Sequence, residues 1–209
     1  MPADADRNAE LPTTMHSKIV GRVAVALAST ATATFAYAHP GHDVAPAVFD
    51  FAVGFSHPFG GWDHVVAAVA VGFWATRLGG HARWLTPVGF LSGMILGLVF
   101  GRTGFAVLGI GQGIAASLLG LGFLIANVQK APVILGAVLM AVFAVFHGAA
   151  HAAIPHANLG LPIFGIVAGT MCVHLIGLAV AQVFLPRFAS AKNYVGWSVA
   201  AAAVCSFAT

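Results

Sequence analysis

The chain has 209 residues, 59% of them hydrophobic and 7% charged, with a mean hydropathy of +0.93. A soluble domain carries about 25% charged residues, so this chain has too little charge to cover a water-facing surface. The net charge of +3 rests on nine Lys and Arg that form no patch suited to a phosphate backbone. An ordinary cytosolic enzyme, a nucleic-acid-binding domain and a disordered protein are thereby excluded. The expected class is an all-α integral membrane protein.

Residues 1–38 read as a polar leader followed by a cleavable signal peptide. From Met15 the chain has Lys18 and Arg22, an apolar run from Val23 to Phe35 and the small-x-small triplet Ala36-Tyr37-Ala38, the three-part secretory pattern. The residues before Met15 read as an over-extended start, and an uncleaved first helix is the alternative. Residues 39–61 form a periplasmic segment carrying His39, His42 and Asp43. Its apolar piece Val44–Phe55 is too short to span about 30 Å of hydrocarbon and reads as a short re-entrant or interfacial helix.

Residues 62–209 then offer six apolar stretches, giving a compact six-helix transmembrane bundle. They run from Trp62 to Leu78, Trp84 to Gly101, Gly104 to Ala126, Ala131 to Ala150, Leu161 to Leu185 and Tyr194 to Phe207. With the N-terminus outside, Arg77, Arg83, Lys130, Arg187 and Lys192 fall inside and only Arg102 outside, as the positive-inside rule requires. Gly89, Gly93, Gly97 and Gly101 recur every fourth residue, and Gly165 and Gly169 repeat the spacing, which predicts close helix packing. Cys172 and Cys205 lie in apolar runs and read as packing residues.

Ten histidines against six acids are the unusual part of the composition. This topology brings His39, His42, His57, Asp63, His64, His147, His151 and His156 to the outer face. In His57-Pro-Phe-Gly-Gly-Trp-Asp63-His64 the Pro58 and Gly60-Gly61 turn can fold His57 back over a helix start. His147 and His151 are four residues apart and share one helix face. Imidazole with a carboxylate suits nickel, cobalt, copper or zinc. Taken singly, Asp63 reads equally well as a helix N-cap, and each histidine as a hydrogen-bonded packing residue. Together, costly ionisable groups gathered on one membrane face point to an ion site. Beyond Asp63 the chain holds no Asp or Glu, so any deeper ligand is His174, Gln112, Asn127, a hydroxyl, sulfur or backbone. Met171, Cys172 and His174 form either a soft inner group or plain packing.

The Ala-His-Pro-Gly-His sequence after the leader, GFSHPFGGWDHVVAAVAVGFWATRLGG and FHGAAH resemble the HupE/UreJ family across nearly the whole mature chain. The resemblance implies a hydrogenase- or urease-associated membrane protein and a nickel or cobalt permease, with His57, Asp63 and His64 in metal recognition. The family's second element is matched by Phe146, His147, Gly148, Ala150 and His151. Ala152 and Ile154 stand where the family has glycine and glutamate, and the region early in the third span where many members carry a glutamate reads Gly109-Ile110-Gly111-Gln112. Both departures remove carboxylates.

The leading expectation is a secondary permease or channel that admits a divalent transition metal, nickel or cobalt, through a His/Asp site comprising His57, Asp63, His64, His147 and His151. His39 and His42 would capture the ion first. The chain is then no enzyme, holds no permanent cofactor, and has as partners the bilayer, the metal ion and metalloenzyme maturation proteins, with no nucleic acid. The location is a bacterial inner membrane with the mature N-terminus periplasmic, and the absence of a Walker-type stretch leaves ATP use to no part of this chain. A copper permease, a metal-capturing accessory protein without transport, and a haem protein holding haem between two histidines stay open as alternatives. A hydrolase built on Ser92 and His174 is a further alternative.

Overall fold

A computed structural model describes residues 51–103, 107–127, 130–152, 160–187 and 191–207, which form seven α-helices and no strand. The expected signal peptide, His39, His42, Asp43 and His156 lie outside the described residues. Helix α1 (Phe51–Ser56) is the described part of the short apolar piece, and it runs directly into a 3-10 turn, His57–Phe59, with Pro58 at its start. Helix α2 spans Trp62–Leu78 and α3 spans Ala82–Arg102; Gly79 and Gly80, at φ 69° and 51°, make the reversal between them. Only glycine takes up such left-handed values without strain.

Helix α4 is Ile110–Asn127, α5 is Val133–His151, α6 is Gly160–Phe184 and α7 is Ala191–Phe207. The spans expected from the sequence therefore all appear as helices, with one clear shift. The third starts at Ile110 rather than Gly104 because Gly109 has φ 66°, which a right-handed helix cannot contain. Helices α3, α4, α5 and α6 are long and apolar enough to cross a membrane. Helices α2 and α7 have 17 residues each, about 25 Å at 1.5 Å per residue.

Small residues decide which helices meet. A side chain on Gly89, Gly93 or Gly97 of α3 would run into the backbone of Ala137, Ala141 or Val145 of α5, and one on Gly148 into Met94. The two backbones thus approach closely along their length. Both sets of numbers rise together, so α3 and α5 run parallel. Helices α2 and α6 are also parallel: Ala68 meets His174 and Thr76 meets Leu178, while Gly72 and Gly177 remove the side chains that would hold them apart. Helix α5 runs against α2, pairing Gly136 with Trp74 and His147 with His64. Helix α4 runs against both α5 and α7, through Gly113 and Gly120 under Phe146 and Phe143, and Gly122 against Gly196. These directions are those produced when six consecutive helices each reverse the chain.

Polar bonds between membrane helices average only about 0.6 kcal/mol, so dispersion across these close approaches carries more of the packing. Trp74, Leu118, Leu121, Ile125 and Met140 fill the interior, whereas Trp84, Leu96, Phe123, Phe164 and Trp197 lie exposed on the periphery. Large apolar groups thus cover the outside as well as the core, the pattern of a protein whose surrounding solvent is lipid. Gly165 and Gly169 of α6 face the backbone of Phe51 and Phe55, not another long helix. Their notch seats α1, which holds the 3-10 turn and His57 over the end of the bundle.

Candidate metal site

At the end of the bundle carrying the start of α2 and the end of α5, four imidazoles and one carboxylate come together. Gly61, in an extended conformation, is the N-cap of α2 and no side chain caps the helix. Asp63 is therefore in the first turn and is not the cap considered from the sequence. Its Oδ1 accepts two hydrogen bonds from His64, one from the backbone N–H and one from Nδ1, both 2.8 Å. A carboxylate only accepts, so Nδ1 carries the proton and, in the neutral ring, Nε2 keeps a lone pair. That Nε2 is buried and has no partner.

His64 packs against His147 and His151, its ring centroid 4.9 Å from each, and His57 packs on His151 at 4.8 Å. Nitrogen ligands lie roughly 2.0–2.1 Å from a zinc-sized ion, which places the centroids of two rings sharing an ion about 5 Å apart. The observed ring spacing has that size. The rings meet edge to face or tilted, and among the described residues no three His, Cys, Asp or Glu side chains already converge as a ligand set. A cleft of about 470 Å³, lined by His57, His64 and His151 with Ser56, Gly60, Gly61 and Ala150, leads to the group.

His147 is 1% and His151 4% exposed, and Nδ1 of the first and Nε2 of the second have no partner. Such orphaned nitrogens cost free energy in a dry interior unless something binds them. Nε2 of His147 lies 2.9 Å from Oγ of Ser117 on α4, and that hydroxyl donates to the Ile114 carbonyl at 2.7 Å. One hydroxyl has one proton, so His147 donates to Ser117 and its lone pair is on Nδ1. Nothing in the sequence singled out Ser117, because a lone serine in an apolar helix ordinarily bonds its own backbone.

The structure places His57, Asp63, His64, His147 and His151 beside one another. It does not bring Gln112 or Asn127 to them: both are exposed, and Asn127 bonds the Phe123 carbonyl of its own helix. Ser92 is exposed and bonds the Val88 carbonyl, so the Ser92–His174 hydrolase has no assembled pair. Phe90 packs between two histidines, 5.4 Å from His147 and 5.1 Å from His174. A haem held by His147 and His174 would have to displace that ring.

Residues 26–206 match the family described as HupE / UreJ protein. The chain belongs to the HupE/UreJ family. It is 35% identical over 182 residues to Protein HupE of Rhizobium leguminosarum bv. viciae, a similarity covering 83% of this chain and 88% of that protein. No solved structure matches the chain. The HupE/UreJ match spans all the described helices up to Ser206, so the histidine group at the end of α2 and α5 lies wholly within the family region.

Proposed function

We propose that this HupE/UreJ protein is a secondary permease or channel admitting a divalent transition metal, nickel or cobalt, from the periplasm. The carrying observation is the set of buried, unpartnered imidazole nitrogens on His64, His147 and His151 at one end of an apolar bundle. Neutral imidazole nitrogen is a good ligand for first-row divalent ions and a poor one for hard cations. The cleft beside His57 gives an arriving ion a route to these nitrogens while it sheds water. Asp63 offers compensating negative charge and, through its bond to Nδ1, fixes the His64 ring with Nε2 available, the arrangement usual for metal-bound histidine.

Six helices crossing in alternation, with α1 lying at the outer interface, agree with the helix directions described above. That arrangement puts Arg77, Arg83, Lys130, Arg187 and Lys192 at one end and Arg102 at the other, with the cationic end cytoplasmic. The signal peptide would be removed, leaving His39 and His42 near the outer mouth as first captors. The metal is cargo on this reading, the protein performs no covalent chemistry, and maturation proteins of nickel enzymes are the natural recipients.

The test is elemental analysis of metal-starved cells expressing the protein, across nickel, cobalt, copper and zinc, with Asp63→Ala as control. Selective nickel or cobalt accumulation that the substitution abolishes is expected. Accumulation of copper alone would replace the ion, and no accumulation of any metal would overturn the permease.

A further inference from the structure

Below the outer histidines, on the inner side of Phe90, His174 of α6 is fully buried. Its Nδ1 donates to the Ala68 carbonyl of α2 at 2.7 Å. A carbonyl cannot donate, so the neutral ring has its lone pair on Nε2, and that atom is buried with no partner. Packing alone does not call for this arrangement: an apolar residue would fill the volume without an orphaned nitrogen. The same construction holds His64 and His147, each anchored at one nitrogen by a protein acceptor and free at the other. Ala68 is one helical turn inward of His64 on α2, so the third ring continues the first two towards the bundle centre.

Helix α3 supplies the opposite wall. Met94 meets Thr170 of α6 and Phe90 meets His174, which puts Thr86 one turn further in on the same α3 face. Thr86 is fully buried and its Oγ1 also has no partner. This is where the chain, lacking carboxylates beyond Asp63, has polar atoms left to offer. A site that passes an ion on must hold it weakly enough to release it, and a single imidazole donor suits that better than a closed cage.

We propose that His174 is an inner station for the transported divalent metal ion, with Nε2 as donor; the inference rests on the permease reading above. Two measurements test it. Purified full-length protein in detergent is loaded with Cu²⁺, exposed to ascorbate and mapped by mass spectrometry for 2-oxohistidine, which forms on histidines that ligate the metal. Oxidation of His174 together with outer histidines is expected. Oxidation of the outer histidines alone overturns the inner station and leaves the permease standing, whereas no oxidised histidine removes both. In cells, His174→Asn, whose amide nitrogen takes the place of Nδ1, retains a donor for the Ala68 carbonyl, and Co²⁺ uptake should fall about tenfold or more while Co²⁺ binding by the purified variant at the outer site persists. Uptake at the wild-type rate in a folded variant overturns the proposal. If the variant does not fold, the oxidation map of the wild-type chain decides alone.

Discussion

Ser117 on α4 and His147 on α5 are joined by a 2.9 Å hydrogen bond whose direction is set by a third group, the Ile114 carbonyl. Because that carbonyl takes the serine proton, His147 must donate from Nε2 and present Nδ1 as its free nitrogen. The bond thus orients a ring that the apolar surroundings could hold in either tautomer. Ser117→Ala should lower metal affinity about 10- to 100-fold, with Ser117→Thr restoring it. Equilibrium dialysis of Co²⁺ against the purified variants measures the effect. Equal affinity in the alanine variant would mean that the serine serves packing only.

Gly61 stands beside the Asp63–His64 pair. A Cβ there would lie 2.9 Å from Asp63 Oδ1 and 3.1 Å from His64 Nδ1, while its backbone, φ −111° and ψ 116°, is open to any residue. Gly61→Ala should therefore disturb the pair without straining the chain. We expect slower metal uptake at unchanged thermal stability, read by uptake kinetics and melting in detergent. A fall in stability with normal uptake would reverse that assignment.

The contact between α3 and α5 should respond in the opposite way. Gly93→Val drives a side chain into the Ala141 backbone, and backbone cannot swing aside as a flexible side chain can. A loss of about 1–3 kcal/mol or more is expected from overpacking, visible as a lower melting temperature. Gly111→Ala, whose new methyl would meet nothing, should leave melting unchanged and serves as the comparison.

Helix direction predicts sidedness. In a Cys172→Ser, Cys205→Ser background, Thr103→Cys should react with a membrane-impermeant thiol reagent in intact cells. His81→Cys should react only after the membrane is opened. Both positions are exposed at helix ends. The reverse labelling pattern would invert the bundle and place the histidine group on the cytoplasmic side.

Much of this protein was legible in order along the chain. Apolar runs bounded by Gly79-Gly80, Pro132 and Pro186 become helices because a backbone in lipid must satisfy its own hydrogen bonds, and length and hydropathy are local properties. The spacing of His147 and His151 likewise marked one helix face, since residues four apart on a helix share a face whatever surrounds it. Gly165 and Gly169 give the close helix packing their spacing predicts, and the tertiary structure adds that the helix they receive is the short α1.

What only the tertiary structure decided is which distant atoms meet. Ser117 against His147, Phe90 between His147 and His174, and the Ala68 carbonyl on His174 are contacts between helices far apart in the sequence. A hydrogen bond's direction, and with it the free nitrogen of each imidazole, depends on the partner across the interface and not on the neighbours along the chain. Composition and hydropathy determined that this chain is a helical membrane protein rich in histidines. The three-dimensional packing determined which of their nitrogens are left open to an ion, because that choice is made by single atoms across close-packed helices.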